Sequence, residues 1–264
     1  MTASTGTAGI PSDVAAEWVD RWDSQQEGYV PHREERFAVL ADAVAAALAD
    51  VAAPVVVDLG CGPGSLTARL AERLPRASFI GVDADPLLLG LARAHYGPAA
   101  AWIQADLADP SWAEDLPETV HAAVSSTALH WMSRASLAEL YRTLGARTAP
   151  GGIFADADHM PLADDRLNTL ADAVGAGRAE RAGTTGREEW GAWWEAALTD
   201  ERLAPLRATA RPLPEADSDG GAEHHHGSNL LTAAEHAELL RAAGYRSAGT
   251  LWQAGDDHLV VAVR

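Results

Sequence analysis

The sequence predicts an α/β fold: a doubly wound, seven-stranded, mostly parallel sheet with a helical cap inserted late and a helical lid placed before the first strand. Three observations carry that expectation. Short apolar runs alternate with helix-period segments from Pro54 onward, the pattern of a parallel sheet covered on both faces. A glycine-rich turn closes the first of these runs. Acids end the first three runs, at the carboxyl edge where ligands of such sheets bind.

Residues 1–12 read as a disordered lead-in, with neither the basic segment nor the apolar stretch of a secretory signal. Two lid helices are expected over 13–53. Val14, Trp18 and Trp22 recur four apart along the first; Phe37, Leu40, Val44, Ala47 and Leu48 line one side of the second. The core, 54–160, contains five strand segments: PVVVDLG, ASFIGVD, AAAWIQAD, TVHAAVSS and GGIFADAD. Between them lie the helices SLTARLAERL, PLLLGLARAHY, with Pro86 at its first turn, and RASLAELYRTLGART. The alternation breaks over 161–229, read as a helical cap of two or three pieces followed by RPLPEADSDGGAEHHHGS. Residues 230–264 supply a last helix and a hairpin turning at Gly255–Asp256, which adds one antiparallel strand.

Composition narrows the function. The net charge is −18, and all 20 basic residues are arginines. Without lysine, Schiff-base chemistry and a P-loop lysine are excluded. The acidic balance argues against a nucleic-acid substrate, which needs a basic stripe. No apolar run approaches the roughly 20 residues that span a bilayer, so no membrane partner is expected. The single cysteine, Cys61, cannot form an intramolecular disulfide, which fits a reducing, cytoplasmic compartment. The expected partner is a small-molecule acceptor; nothing in the sequence marks an oligomeric state.

The segment VVVDLGCGPGS carries the sharpest motif. Gly60, Gly62 and Gly64 follow an apolar strand and open a helix, so the backbone turns tightly and presents N–H groups to an anion. The spacing is D-x-G-x-G-x-G from Asp58, unlike the G-x-G-x-x-G of dinucleotide sites. Asp83 ends the next strand, about 20 residues on, where an acid accepts from both ribose hydroxyls. Asp106 and Leu107 end the third, one suited to an exocyclic amine and the other to an adenine face. Each acid alone reads as a loop residue or helix cap; three at successive strand ends form a constellation.

These residues resemble the Rossmann-like class I S-adenosylmethionine-dependent methyltransferases, closely over 54–160 and loosely over 230–264. TALHW, APGG and the closing VVAVR are most similar to the trans-aconitate methyltransferase-like branch. The resemblance implies S-adenosylmethionine as cofactor. Its methionyl part would be wrapped by the turn containing Asp58, Gly60, Cys61, Gly62 and Gly64. Asp83 with Ala84 would hold the ribose, and Asp106 with Leu107 the adenine. SSTALHW, starting at Ser125, would flank the methionyl group and the acceptor. Tyr29 and Arg33, at the end of the lid, could reach the carboxylate and methyl regions, although Trp18 and Trp22 equally suggest plain packing.

Methyl transfer mainly requires alignment of nucleophile, methyl and sulfur. A base helps only where the acceptor is protonated. His130 is the first candidate and His159 the second, with an oxygen acceptor favoured over nitrogen or carbon. No metal is expected: His224, His225 and His226 would point alternately, and Asp156, Asp158 and His159 lack ligand spacing. Trp190, Trp193, Trp194 and Ala197 form a helical stripe, partly core and partly a wall over the acceptor. Two rivals stand beside this reading, a nicotinamide-dependent oxidoreductase and a non-catalytic S-adenosylmethionine-binding protein.

Overall fold

A computed structural model describes residues 9–207 and 229–264. Its seven-stranded sheet has the order β3-β2-β1-β4-β5-β7-β6. The strands are β1 (Val55–Leu59), β2 (Ser78–Asp83), β3 (Ala101–Gln104), β4 (Val120–Ser126), β5 (Thr148–His159), β6 (Ser247–Ala254) and β7 (Asp257–Val263). β1 to β5 run parallel, and β7 inserts antiparallel between β5 and β6. The chain order reverses beside β1, which opens a crevice at its carboxyl end. Register brings Leu59 level with Ser125 and Ser125 level with Asp156, so the ends of β1, β4 and β5 form one ledge.

Helices α1 (Ser12–Tyr29) and α2 (Arg33–Ala47) precede β1; α3 (Ser65–Arg73), α4 (Pro86–Tyr96) and α5 (Arg134–Arg147) follow β1, β2 and β4. The cap contains α6 (Asp165–Ala182), α7 (Trp190–Thr199) and the short α8 (Ala204–Arg207); α9 (Ala233–Ala242) precedes the hairpin. Leu137, Leu140, Tyr141 and Leu144 recur on one side of α5 and are buried with Phe154 and Val260 on one sheet face. Phe37, Leu40 and Val44 of α2 cover the other face with Val56, Val124 and Ala155. A third cluster joins Trp18 and Val19 of α1, Leu87, Leu88 and Leu91 of α4, and Trp193 and Ala197 of α7.

The lead-in expectation needs correction. Ile10 is buried in that third cluster and α1 already begins at Ser12, because an apolar side chain next to a helix start packs when a surface is offered. Residues 1–8, and His224, His225 and His226 with the Pro/Gly/Asp-rich stretch from 208 to 228, lie outside the described residues. No helix among the described residues is long and apolar enough to cross a membrane.

Candidate active site at the strand ends

The β1–α3 turn is built on backbone geometry. Gly60, Gly62 and Gly64 take φ of 65°, 55° and 90°, the left-handed region that favours glycine. A Cβ at Gly60 would also collide with the Ala128 side chain. The turn is pinned by Cys61 N–H donating to the Val82 carbonyl and Gly64 N–H to the Cys61 carbonyl, both at 3.0 Å. Gly64 begins α3 without a side-chain cap, and the Thr67 N–H of the first turn bonds Asp58. Cys61 is buried, which pushes its thiol well above the usual range and removes it as a nucleophile.

Asp83 accepts from Gly62 N–H at 2.7 Å and Asp85 N–H at 2.8 Å, one on each carboxylate oxygen. Burial raises it to about 6 against the pull of those bonds. Asp58 lies beneath the turn, where it accepts the Thr67 hydroxyl at 2.5 Å and is raised by burial to about 7. Its place is structural, tying β1 to α3. Asp106 is exposed and accepts from Ala108 N–H at 2.8 Å, while Leu107 is half-buried against the core. The Ala84 carbonyl takes the Gln104 amide. The Ser125 hydroxyl donates to the Leu59 carbonyl at 2.9 Å, bracing β4 against β1.

The lid closes on this turn. The Trp22 ring lies 3.8 Å from where a Cβ on Gly62 would be, and it stacks edge-on against Trp193 and Trp194 of the cap. Asp23 accepts from Ser65 Oγ at 2.5 Å, Arg33 at 2.7 Å and Arg69 at 3.1 Å. Burial alone would raise its carboxyl, but Arg33, Ser65 and Arg69 together hold it below the ordinary range. Arg33 therefore reaches the turn through Asp23, and its guanidinium lies over Phe37. Tyr29 sits at the joint of lid and cap: its hydroxyl donates to Glu189 and accepts from Trp190 N–H. Trp18 and Trp22 both pack, Trp18 in the cluster with α4 and α7 and Trp22 against the cap tryptophans and the glycine turn.

Several buried polar atoms of the N-terminal helix and the cap have no protein partner. They include both amide atoms of Gln25, one turn beyond Trp22, and the indole nitrogens of Trp193 and Trp194. Native interiors rarely leave such groups unpaired unless a ligand or water meets them. A glycine cradle, an acid at the β2 end and orphaned donors under a lid fit an adenosyl amino acid.

On the other side of the ledge, His130 lies in a helical turn, Leu129–Trp131, following β4. Its Nδ1 is 2.8 and 2.9 Å from the two oxygens of Asp158, and its backbone N–H donates to the same carboxylate at 3.2 Å. Asp158 is 2% exposed; burial would raise it, but the adjacent His130 keeps it low. Asp156, two residues earlier on the same strand face, has no hydrogen-bond partner on either oxygen. Burial, then the neighbouring Asp158, pushes it well above the carboxylate range.

His159 turns to Asp256, with Nδ1 at 3.0 Å; burial lowers its basicity, but that carboxylate more than offsets the effect. Both candidate histidines thus present Nδ1 to a carboxylate, His130 to Asp158 and His159 to Asp256. Arg36, fully buried, joins Asp257 and Ser126 Oγ, both at 2.9 Å. Among the described residues no group of three or more His, Cys, Asp or Glu side chains is placed to hold a metal. Asp158 is bonded to His130 and to His159 N–H, the His159 ring to Asp256, and Asp156 to no described residue. Sequence reasoning missed Asp23, Gln25, Arg36 and the pairing of Asp158 with His130. Asp23, Arg36 and Asp158 meet their partners across 10 to 221 residues, Gln25 meets none, and no local spacing announces any of them.

The fold and the glycine turn define a class I methyltransferase. Residues 56–152 match the family described as methyltransferase domain. The chain is 33% identical to a trans-aconitate 2-methyltransferase of Methylobacterium radiotolerans over 73% of its own length and 68% of the relative's. It is 40% identical to one of Azoarcus sp. over 51% of this chain, spanning about half (49%) of that relative. Among solved structures, magnesium protoporphyrin IX methyltransferase of Synechocystis PCC 6803, crystallised with SAH, shares the fold. Its TM-score is 0.55 at 16% identity, over 93% of this chain and 94% of the other. An O-methyltransferase family protein from Burkholderia thailandensis also gives 0.55, at 18% identity, over 93% and 68%. The chain belongs to the S-adenosylmethionine-dependent methyltransferases, in the branch of the trans-aconitate 2-methyltransferases. The nicotinamide-dependent alternative gives way to that membership.

Proposed function

We propose that this protein transfers a methyl group from S-adenosylmethionine to an oxygen of a small-molecule acceptor, with His130 as the base. The observation that carries the reading is the His130 ring. Its Nδ1 is engaged by Asp158, no described residue bonds Nε2, and the side chain retains 22% exposure. Gly60, Gly62, Gly64 and the start of α3 hold the methionyl part, Asp83 the ribose, and Asp106 with Leu107 the adenine. Bound there, S-adenosylmethionine supplies a methyl on a sulfonium that leaves its electron pair on sulfur. The chain's own residues align the acceptor, exclude water with Trp22, Trp193 and Trp194, and take a proton at Nε2. The net charge of −18 supports a small molecule over nucleic acid.

The test is incubation with methyl-labelled S-adenosylmethionine and a metabolite extract, followed by mass spectrometry, with calorimetry for SAH and NAD alongside. Labelled product and SAH binding are expected. Tight NAD binding without SAH binding would overturn the reading, and SAH binding without turnover would favour a non-catalytic binder.

A further inference from the structure

We propose that Trp131 and Leu230 form an apolar subsite for the acceptor, a platform at the mouth of the site that takes a hydrocarbon or aryl portion of the molecule being methylated. The inference rests on the reading of His130 as the residue that meets the acceptor. It adds the build of that acceptor: a polar end at the histidine and an apolar body beyond it.

Two short segments make the platform. The first, residues 127–131, runs from the glycine turn to the histidine. Ala128 sits against Gly60, where a Cβ would collide with it, and His130 and Trp131 follow in one helical turn with their rings 4.8 Å apart. The second, residues 229–231, is laid along the first by one side chain. Asn229 donates its backbone N–H to the His130 carbonyl at 2.9 Å and its side-chain amide to the Leu129 carbonyl at 3.1 Å. Its amide oxygen accepts from Leu231 N–H at 3.0 Å. Trp131 and Leu230 therefore each stand one residue from the bonded pair of His130 and Asn229.

Both segments are held against local preference. Thr127 and Leu230 have φ of 51° and 52°, the left-handed region, where a β-branched or bulky side chain is strained. Such strain persists only where the surroundings over-determine it, and it collects at ligand sites. The surroundings here are firm. Thr127 N–H donates to the Ala157 carbonyl at 3.0 Å, and Leu129, Met132 and Leu231 are buried in one core cluster. Between and beside these anchors the two apolar side chains are turned outwards, Trp131 at 62% exposure and Leu230 at 65%. A single exposed leucine needs no explanation. A leucine fixed in a strained conformation beside an exposed tryptophan, next to the candidate base, does. Apolar surface is taken out of water only when something apolar lies across it, and the molecule that the reaction brings to this place is the acceptor.

The test titrates n-alkanols and n-alkanoates of increasing chain length into the SAH-bound protein by calorimetry. Binding should tighten roughly two- to fourfold per added methylene in both series, and a flat series overturns the subsite. Trp131→Ala should flatten the dependence. Leu230→Gly should do the same while its melting temperature holds or rises, because glycine takes the left-handed φ without strain. Chain-length dependence unchanged in both variants would put the apolar binding elsewhere and overturn the assignment. Sedimentation at low and high protein concentration tests the rival occupant, a second copy of the chain. A dimer lost in Trp131→Ala would make the platform a contact between copies, whereas an assembly state unchanged by the variant supports the acceptor. The titrations need no turnover, so their failure is distinguishable from loss of the base reading, which the kcat of His130→Asn measures.

Discussion

Carboxylates at the two sides of the strand-end ledge are held by different means. On the β1–β3 side, Asp83 and Asp106 are met by backbone N–H groups, from the glycine turn or two residues along the chain. On the β4–β5–β7 side, Asp158 and Asp257 are met by side chains from distant segments, His130 28 residues away and Arg36 221 residues away. Backbone donors are present whatever the side chains are, so the first arrangement needs only turns of the right shape. Side-chain donors must be placed by the whole fold. The first design suits a cofactor shared by a family, and the second suits an acceptor that differs between members.

His130→Asn puts the largest stress on this contrast. The amide can still orient an acceptor but cannot take its proton at neutral pH. Turnover should fall about 10²–10⁴-fold while SAH affinity, which the proposed site assigns to the other side, stays within error. Near-wild-type turnover under conditions where chemistry limits the rate would reduce His130 to an orienting residue.

Arg36→Met should cost about 3–5 kcal/mol of stability, because Asp257 would remain buried without its cation. Thermal or denaturant unfolding measures it. Pairing the change with Asp257→Leu should recover much of the loss, since an apolar pair of similar volume replaces a buried ion pair at little cost. If the double variant is no better than the single, the pair matters through packing instead.

These results bear on what the sequence revealed. Alternating apolar runs disclosed the sheet, and D-x-G-x-G-x-G disclosed the glycine turn that Asp83 braces, because backbone-built features have fixed spacing. Trp22 was visible only as a packing residue, since the four-residue period of Trp18 and Trp22 is the same whether a ring meets a helix or a ligand. Asp156 and Asp158 were visible only as members, with His159, of a cluster lacking metal-ligand spacing. Their split into a neutral and a charged carboxyl depends on His130 and on burial, which no local pattern encodes.

Asp156 gives that split its own test. A carboxyl raised by burial binds its proton more tightly in the folded state, so stability falls as pH rises above the unfolded value of about 3.9. The limiting slope is about 1.4 kcal/mol per pH unit. Asp156→Asn removes that loss. Unfolding curves from pH 4 to 7 should show the variant gaining on the wild type as pH rises, and parallel curves would mean that the Asp156 carboxyl ionises freely.

The smallest effects belong to the backbone-held acids, and the two should differ from each other. Asp83 is held by backbone N–H groups in a partly sheltered position; each ribose hydroxyl bonded to its charged form is worth about 1.5–3 kcal/mol. Asp83→Ala should therefore weaken SAH binding roughly tenfold to several hundredfold, allowing for non-additivity. Because burial raises Asp83 to about 6, wild-type affinity should also decline as pH falls below that value, when the carboxylate gains a proton and loses acceptor strength. Asp106 is exposed, so water competes for its bond to an exocyclic amine and about 0.5–1.5 kcal/mol is at stake. Asp106→Ala should cost only roughly twofold to tenfold by calorimetry. A larger loss at Asp106 than at Asp83 would mean that the lid shields the adenine end more than the ribose, and would place closure over β3 instead of over the glycine turn that Trp22 covers.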